Sequence, residues 1–215
     1  MAVVSKLTTI GIMVFSLGIG FLTFYLLSNL TKEQRKKHLE EWISQFINFV
    51  IFIWLGKIML NLSIFVTDPL SILAYPSNSK AFYFAVVSTA LLLLYKSKRK
   101  NLHVRSLLGS FVPVFLIGSF TYEFIQVVWN DDRYALGYLL LLGILIGLFF
   151  FFRERTTSTV LFMIVITVWS GGLISLLRLQ PFVTVFGYIM DPWFIGVFFV
   201  MSMGGLIYKL RKGDT

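Results

Sequence analysis

Long apolar blocks separated by short charged segments make up most of this chain. Seven blocks can be drawn, at approximately 8–30, 42–66, 80–95, 106–129, 134–152, 157–177 and 190–208. Each approaches the roughly 20 residues that an α-helix needs to cross about 30 Å of hydrocarbon. The predicted fold class is therefore all-α: a polytopic helical bundle of about seven transmembrane helices, forming a single transmembrane domain over residues 1–215. Short connections make neighbouring spans antiparallel and leave no room for a soluble domain. The first block is too long for the apolar core of a cleavable signal and is expected to stay as a span. Thr31 to Glu41 is charged and helix-favouring, so it is expected to extend the second helix out of the membrane. Pro113 falls inside the fourth block, where a kink is expected. Pro181 to Met190 is apolar but cut from the last block by Asp191-Pro192, which suggests an interfacial or re-entrant turn.

Charge orients these spans. Fourteen basic residues fall in alternate loops and at the C-terminus: Lys32, Arg35, Lys36 and Lys37; Lys96, Lys98, Arg99, Lys100 and Arg105; Arg153 and Arg155; Lys209, Arg211 and Lys212. The opposite side receives Lys6, Lys80, Arg133 and Arg178, together with Asp68, Asp131, Asp132 and Asp191. This asymmetry puts the N-terminus outside and the C-terminus inside, with "outer" and "inner" used below in that sense. Trp42, Tyr95 and Tyr208 would mark the inner interface, and Tyr75, Trp129, Tyr134, Tyr188 and Trp193 the outer one.

Composition changes the picture only by excluding alternatives. With 57% hydrophobic residues, 23 of the 215 being Phe, and 13% charged, the chain cannot cover a water-exposed surface. The net charge of +9 sits in loops, where it serves topology and attraction to anionic lipid headgroups at the cytoplasmic face rather than nucleic acid. There is no cysteine, so disulfides and thiolate chemistry are excluded, and the two histidines, His38 and His103, lie in charged connections. No metal-ligand cluster, P-loop or nucleophile motif is present, no cofactor is implied, and an enzyme is the least supported class.

Ionisable groups inside spans carry the functional signal, because each costs roughly 2.5–3.5 kcal/mol at the membrane centre on insertion scales. There are two, Lys57 and Glu123. Counting 1.5 Å per residue, they lie about 14 and about 9 Å below the outer ends of their spans, close enough in depth for two long side chains to meet. Ser119, Glu123, Gln126 and Asn130 share one helical face, as do Lys57, Asn61 and Asp68. Arg178 and Asp191 end the loop between the last two spans on the same side. The expected site is an outward-facing polar cavity that binds or transports a small polar solute, ion or lipid headgroup. Lys57 and Glu123 would be its charged elements, Asn61 and Gln126 would orient the ligand, and Arg178 and Asp191 would flank the entrance. The alternatives are a buried pair that fixes helix register and, at the level of function, a structural or regulatory subunit bound to another membrane protein. Ser16 with Gly20, and Gly143 with Gly147, are small-xxx-small pairs of the kind that let helices approach closely. The expected location is a plasma membrane, such as a bacterial cell membrane.

Overall fold

Each apolar block can satisfy its backbone polar groups in lipid only by forming a helix, and helices are what form. A computed structural model describes residues 2–69, 78–99 and 104–212, with side chains from 8–69, 78–99 and 106–212. Among the described residues there are eight helices: α1 Ala2–Leu27, α2 Lys32–Leu60, α3 Leu62–Thr67, α4 Ser79–Arg99, α5 Val104–Trp129, α6 Arg133–Phe152, α7 Ser158–Leu179 and α8 Pro192–Lys212. All but α3 are long and apolar enough to cross a membrane, which is the architecture of a multi-pass membrane protein. Their outward faces are apolar, with Val14, Leu140 and Val200 each more than half exposed. Tyr75, Lys100 and His103 lie outside the described residues, as do the side chains of Lys6 and Arg105.

Helix ends follow local chemistry. The first helix stops at Leu27 rather than running to residue 30, because Ser28 Oγ accepts the Leu30 N–H and holds the chain in a turn. Thr31 and Gln34 then form a reciprocal capping box: Thr31 Oγ1 accepts from Gln34 N, and Gln34 Oε1 accepts from Thr31 N. The helix that follows includes the charged Lys32–Glu41 stretch. It ends at Leu60, where a continuous span to Val66 was expected, and Asn61 is the cause. Its Nδ2 donates to Lys57 O at 2.9 Å, its backbone leaves helical geometry at φ −135°, and a separate short helix restarts at Leu62.

The chain forms two compact units, residues 1–35 with 105–215, and residues 36–104. In the second, α2 and α4 lie against each other. Gly56 meets the backbone of Ala81, Phe49 meets Phe82 edge-on, and near the inner end Lys96 Nζ lies 2.7 Å from Glu41 Oε1. In the first, α1 crosses α5 closely at Gly20, where a Cβ would stand 2.5 Å from Val114 O. Ser16 and Gly20 thus pack inside the chain. The other small pair behaves differently: among the described residues Gly143 has only the Phe120 ring at 3.8 Å, and Gly147 has no neighbour within 4 Å. The seventh helix packs on both neighbours, with Leu141 of α6 lying against Gly172 and Thr167 Oγ1 donating to Ser202 Oγ of α8 at 3.0 Å.

The segment before α8 is a β-hairpin. Strand β1 (Thr184–Val185) pairs antiparallel with β2 (Tyr188–Ile189) around Phe186-Gly187. Both turn residues have positive φ, 49° and 79°, as a two-residue hairpin with matching twist requires. Phe186 is held in this unusual geometry by ring contacts with Tyr122 and Phe115, at 5.6 and 6.3 Å. Those residues stand seven and fourteen positions before Trp129, about 10 and 21 Å along the helix, so the hairpin dips below the outer end of α5. Non-helical backbone is tolerated at that depth only inside protein, and Val183, Val185 and Met190 are all buried.

Candidate functional site

Beneath the hairpin, α5 carries a polar stripe into an otherwise apolar interior. Ser119 and Glu123 are one turn apart, and each is 1% exposed. Among the described residues Glu123 Oε1 is buried without a hydrogen-bond partner, while Ser119 Oγ has the Tyr138 hydroxyl as its hydrogen-bonding neighbour. Most buried polar atoms in folded proteins are paired, so a carboxylate oxygen orphaned in the interior needs a physical reason. Across from Ser119 and Glu123, Tyr138 of α6 is buried, and its hydroxyl accepts the Trp169 Nε1–H from α7 at 2.9 Å. Tyr122, Tyr138 and Asp132 are the electrostatic neighbours of the carboxylate. Gly187 closes over Tyr122, where a side chain on the turn would press on the phenol oxygen at 2.8 Å. Three helices and the hairpin tip thus surround the Glu123 carboxylate, with the Tyr122, Tyr138 and Ser119 hydroxyls as its polar neighbours.

The predicted site residues are placed as follows. Gln126 is half-buried one turn above Glu123, and its Oε1 accepts from Asn130 Nδ2. Arg178 is exposed on the last turn of α7, and Asp191 is half-buried just before α8, so the two flank the hairpin segment in sequence. Asp191 O accepts the Phe194 and Ile195 N–H groups and starts the last helix. Lys57 and Asn61 belong to the other unit and are described within it. Lys57 is 7% exposed, with its ammonium 5.5 Å from the Trp54 ring centroid, a cation–π contact on its own helix. Asn61 is spent on the helix break already described.

Sequence reasoning did not find Tyr138 and Trp169, because two aromatic residues 31 positions apart carry no mark of their pairing. Nor did it find the Glu41–Lys96 pair, where Glu41 also accepts from Gln45 Nε2 at 2.5 Å. The one available signal was an acidic residue at the end of a basic segment, just before the span. Among the described residues no group of three His, Asp or Glu is arranged to hold a metal ion. The chain matches no known family model, and no characterised protein or solved structure is detectably similar to it.

Proposed function

We propose that this multi-pass membrane protein binds a small solute or ion that donates hydrogen bonds or carries positive charge, taken up from its outer side. Glu123 and Ser119 would receive the ligand, Gln126 would orient it, and Arg178 and Asp191 would flank the way in. The observation that supports this reading most is Glu123 Oε1, a buried acceptor without a donor among the described residues, with the Ser119 hydroxyl one turn away on the same helix. A buried acceptor without a donor costs about 1–3 kcal/mol, and a ligand N–H, O–H or cation removes that cost. Transport requires in addition that the hairpin move, since it covers the stripe from above.

The test uses the absence of native cysteine. Ser119→Cys and Gln126→Cys are expected to react with a membrane-impermeant thiol reagent added outside, and Phe124→Cys, on the lipid-facing side at 51% exposed, to resist. A screen of sodium, potassium, ammonium and small amines should find one that raises the melting temperature and protects Ser119→Cys, and Glu123→Gln should abolish both effects. Inertness at both stripe positions together with no ligand-dependent shift would overturn the reading and leave a structural role for Glu123.

A further inference from the structure

The inner end of the same unit holds a cavity of about 240 Å³, and its lining is graded from polar to apolar. Ser28 and Asn29 from the turn after α1, Ser106 at the start of α5, Arg153 at the end of α6 and Ser158 at the start of α7 supply the polar part. These positions all sit at helix ends, hence near the inner membrane surface. Leu116, Ile117 and Ile146, set further along their helices toward the membrane centre, supply the apolar part, and the hydroxyls of Thr23 and Ser110 beside them are spent on carbonyls of their own helices. Among the described residues no acidic side chain lines it.

We infer that this cavity binds a phosphate-bearing amphiphile, an anionic phospholipid of the inner leaflet, by its headgroup and the first part of one chain. Arg153 is the anchor. One of its five N–H groups, on Nη2, donates to Leu27 O at 2.6 Å, which ties the guanidinium to the C-terminal end of α1. The remaining N–H groups make no other hydrogen bond among the described residues, leaving the planar donor set suited to phosphate oxygens. Hydroxyls of Ser28 and Ser158 lie in the same wall and can donate to the same group. Gly109 is required there because a Cβ would stand 2.8 Å from Ser158 Cβ. Pro113, having no N–H, leaves the Gly109 carbonyl without its helical donor.

Volume and surroundings select a lipid over a soluble anion. The cavity, about 240 Å³ and open on one side, has room for a phosphate and a few methylenes. The rest of the acyl chains must stay in the bilayer, and Leu27 and Phe150 in the cavity wall are both close to half exposed, facing lipid. A free phosphate would use the polar end and leave the apolar end without a role.

The experiment is thermal denaturation and native mass spectrometry of the full chain in neutral detergent, with four additives. These are phosphatidylglycerol, phosphatidylcholine, diacylglycerol and inorganic phosphate. Phosphatidylglycerol is expected to raise the melting temperature and to remain bound at one molecule per chain. Diacylglycerol should do neither, and phosphatidylcholine should bind at least several-fold more weakly, its choline meeting a cationic mouth. Arg153→Ala should weaken phosphatidylglycerol about tenfold or more, as loss of a charge-assisted contact does. Because that change also releases Leu27 O, Asn29→Glu is the second variant. It keeps Arg153 and places a competing carboxylate at the mouth, and it should weaken binding similarly. Arg155→Ala, whose guanidinium stacks on Phe151 and does not line the cavity, should bind as the parent does. Equal stabilisation by inorganic phosphate would overturn the lipid assignment. Unchanged phosphatidylglycerol binding in Asn29→Glu, or loss in Arg155→Ala equal to that in Arg153→Ala, would overturn the site.

Discussion

Gly20 and Gly147 are both second members of small-xxx-small pairs, yet alanine at the two positions should have opposite effects. At Gly20 the new methyl would lie 2.5 Å from Val114 O and 3.2 Å from Gly118 N. These are main-chain atoms of α5 and cannot swing aside, whereas a carbon meets a carbonyl oxygen comfortably only at about 3.3 Å or more. The two helices would have to separate by about 0.8 Å, and overpacking of that kind costs typically 1–3 kcal/mol. At Gly147 no atom of the described residues lies within 4 Å, so the methyl has room. Both variants gain the same helix-propensity advantage of Ala over Gly, up to about 1 kcal/mol. Their difference therefore isolates the clash: Gly20→Ala should be less stable than Gly147→Ala by about 1–3 kcal/mol. Unfolding of the purified protein in mixed micelles, titrated with a denaturing detergent, reads this directly. Equal stabilities, or a more stable Gly20→Ala, would refute the close α1–α5 crossing.

Two further outcomes test other parts of the structure. A reporter fused after Lys212 should read cytoplasmic and one inserted at Asp132 external, as fourteen basic residues on one side require; an external reading after Lys212 would reverse the orientation. Gly187→Ala should lower the melting temperature, because φ of +79° costs an L-residue about 1–2 kcal/mol and the methyl presses on Tyr122 Oη. Adding Tyr122→Phe should return the steric part of that loss and leave the backbone part, which a double-mutant cycle separates.

The seven spanning helices were legible because lipid forces every long apolar block into the same solution, whatever its residues. Glu123, singled out as an ionisable group within a span, is buried in the protein. What escaped was anything set by one side chain against a backbone or a distant partner. Asn61 breaks a helix through a single bond to Lys57 O, and hydropathy averages across it. The hairpin turns on Phe-Gly, not on the Asn-Gly or Asp-Gly that would have announced it, and its tip geometry depends on rings from α5. Likewise, two small-residue pairs with one spacing differ only in which helix lies opposite them.

The hairpin between α7 and α8 also constrains biogenesis. Its two strands are two residues each, so alone in hydrocarbon it would leave most of its peptide groups without partners. It cannot partition into the bilayer as an independent segment, as its flanking helices can. It has to wait at the membrane surface until α5 presents Phe115 and Tyr122 to receive Phe186. Insertion of the spans and closure of the outer end are thereby separate events, and the second depends on the first. A nascent chain released before α5 and α7 have associated would carry this segment exposed to the translocation and quality-control machinery, a marker of incomplete assembly written into the loop itself.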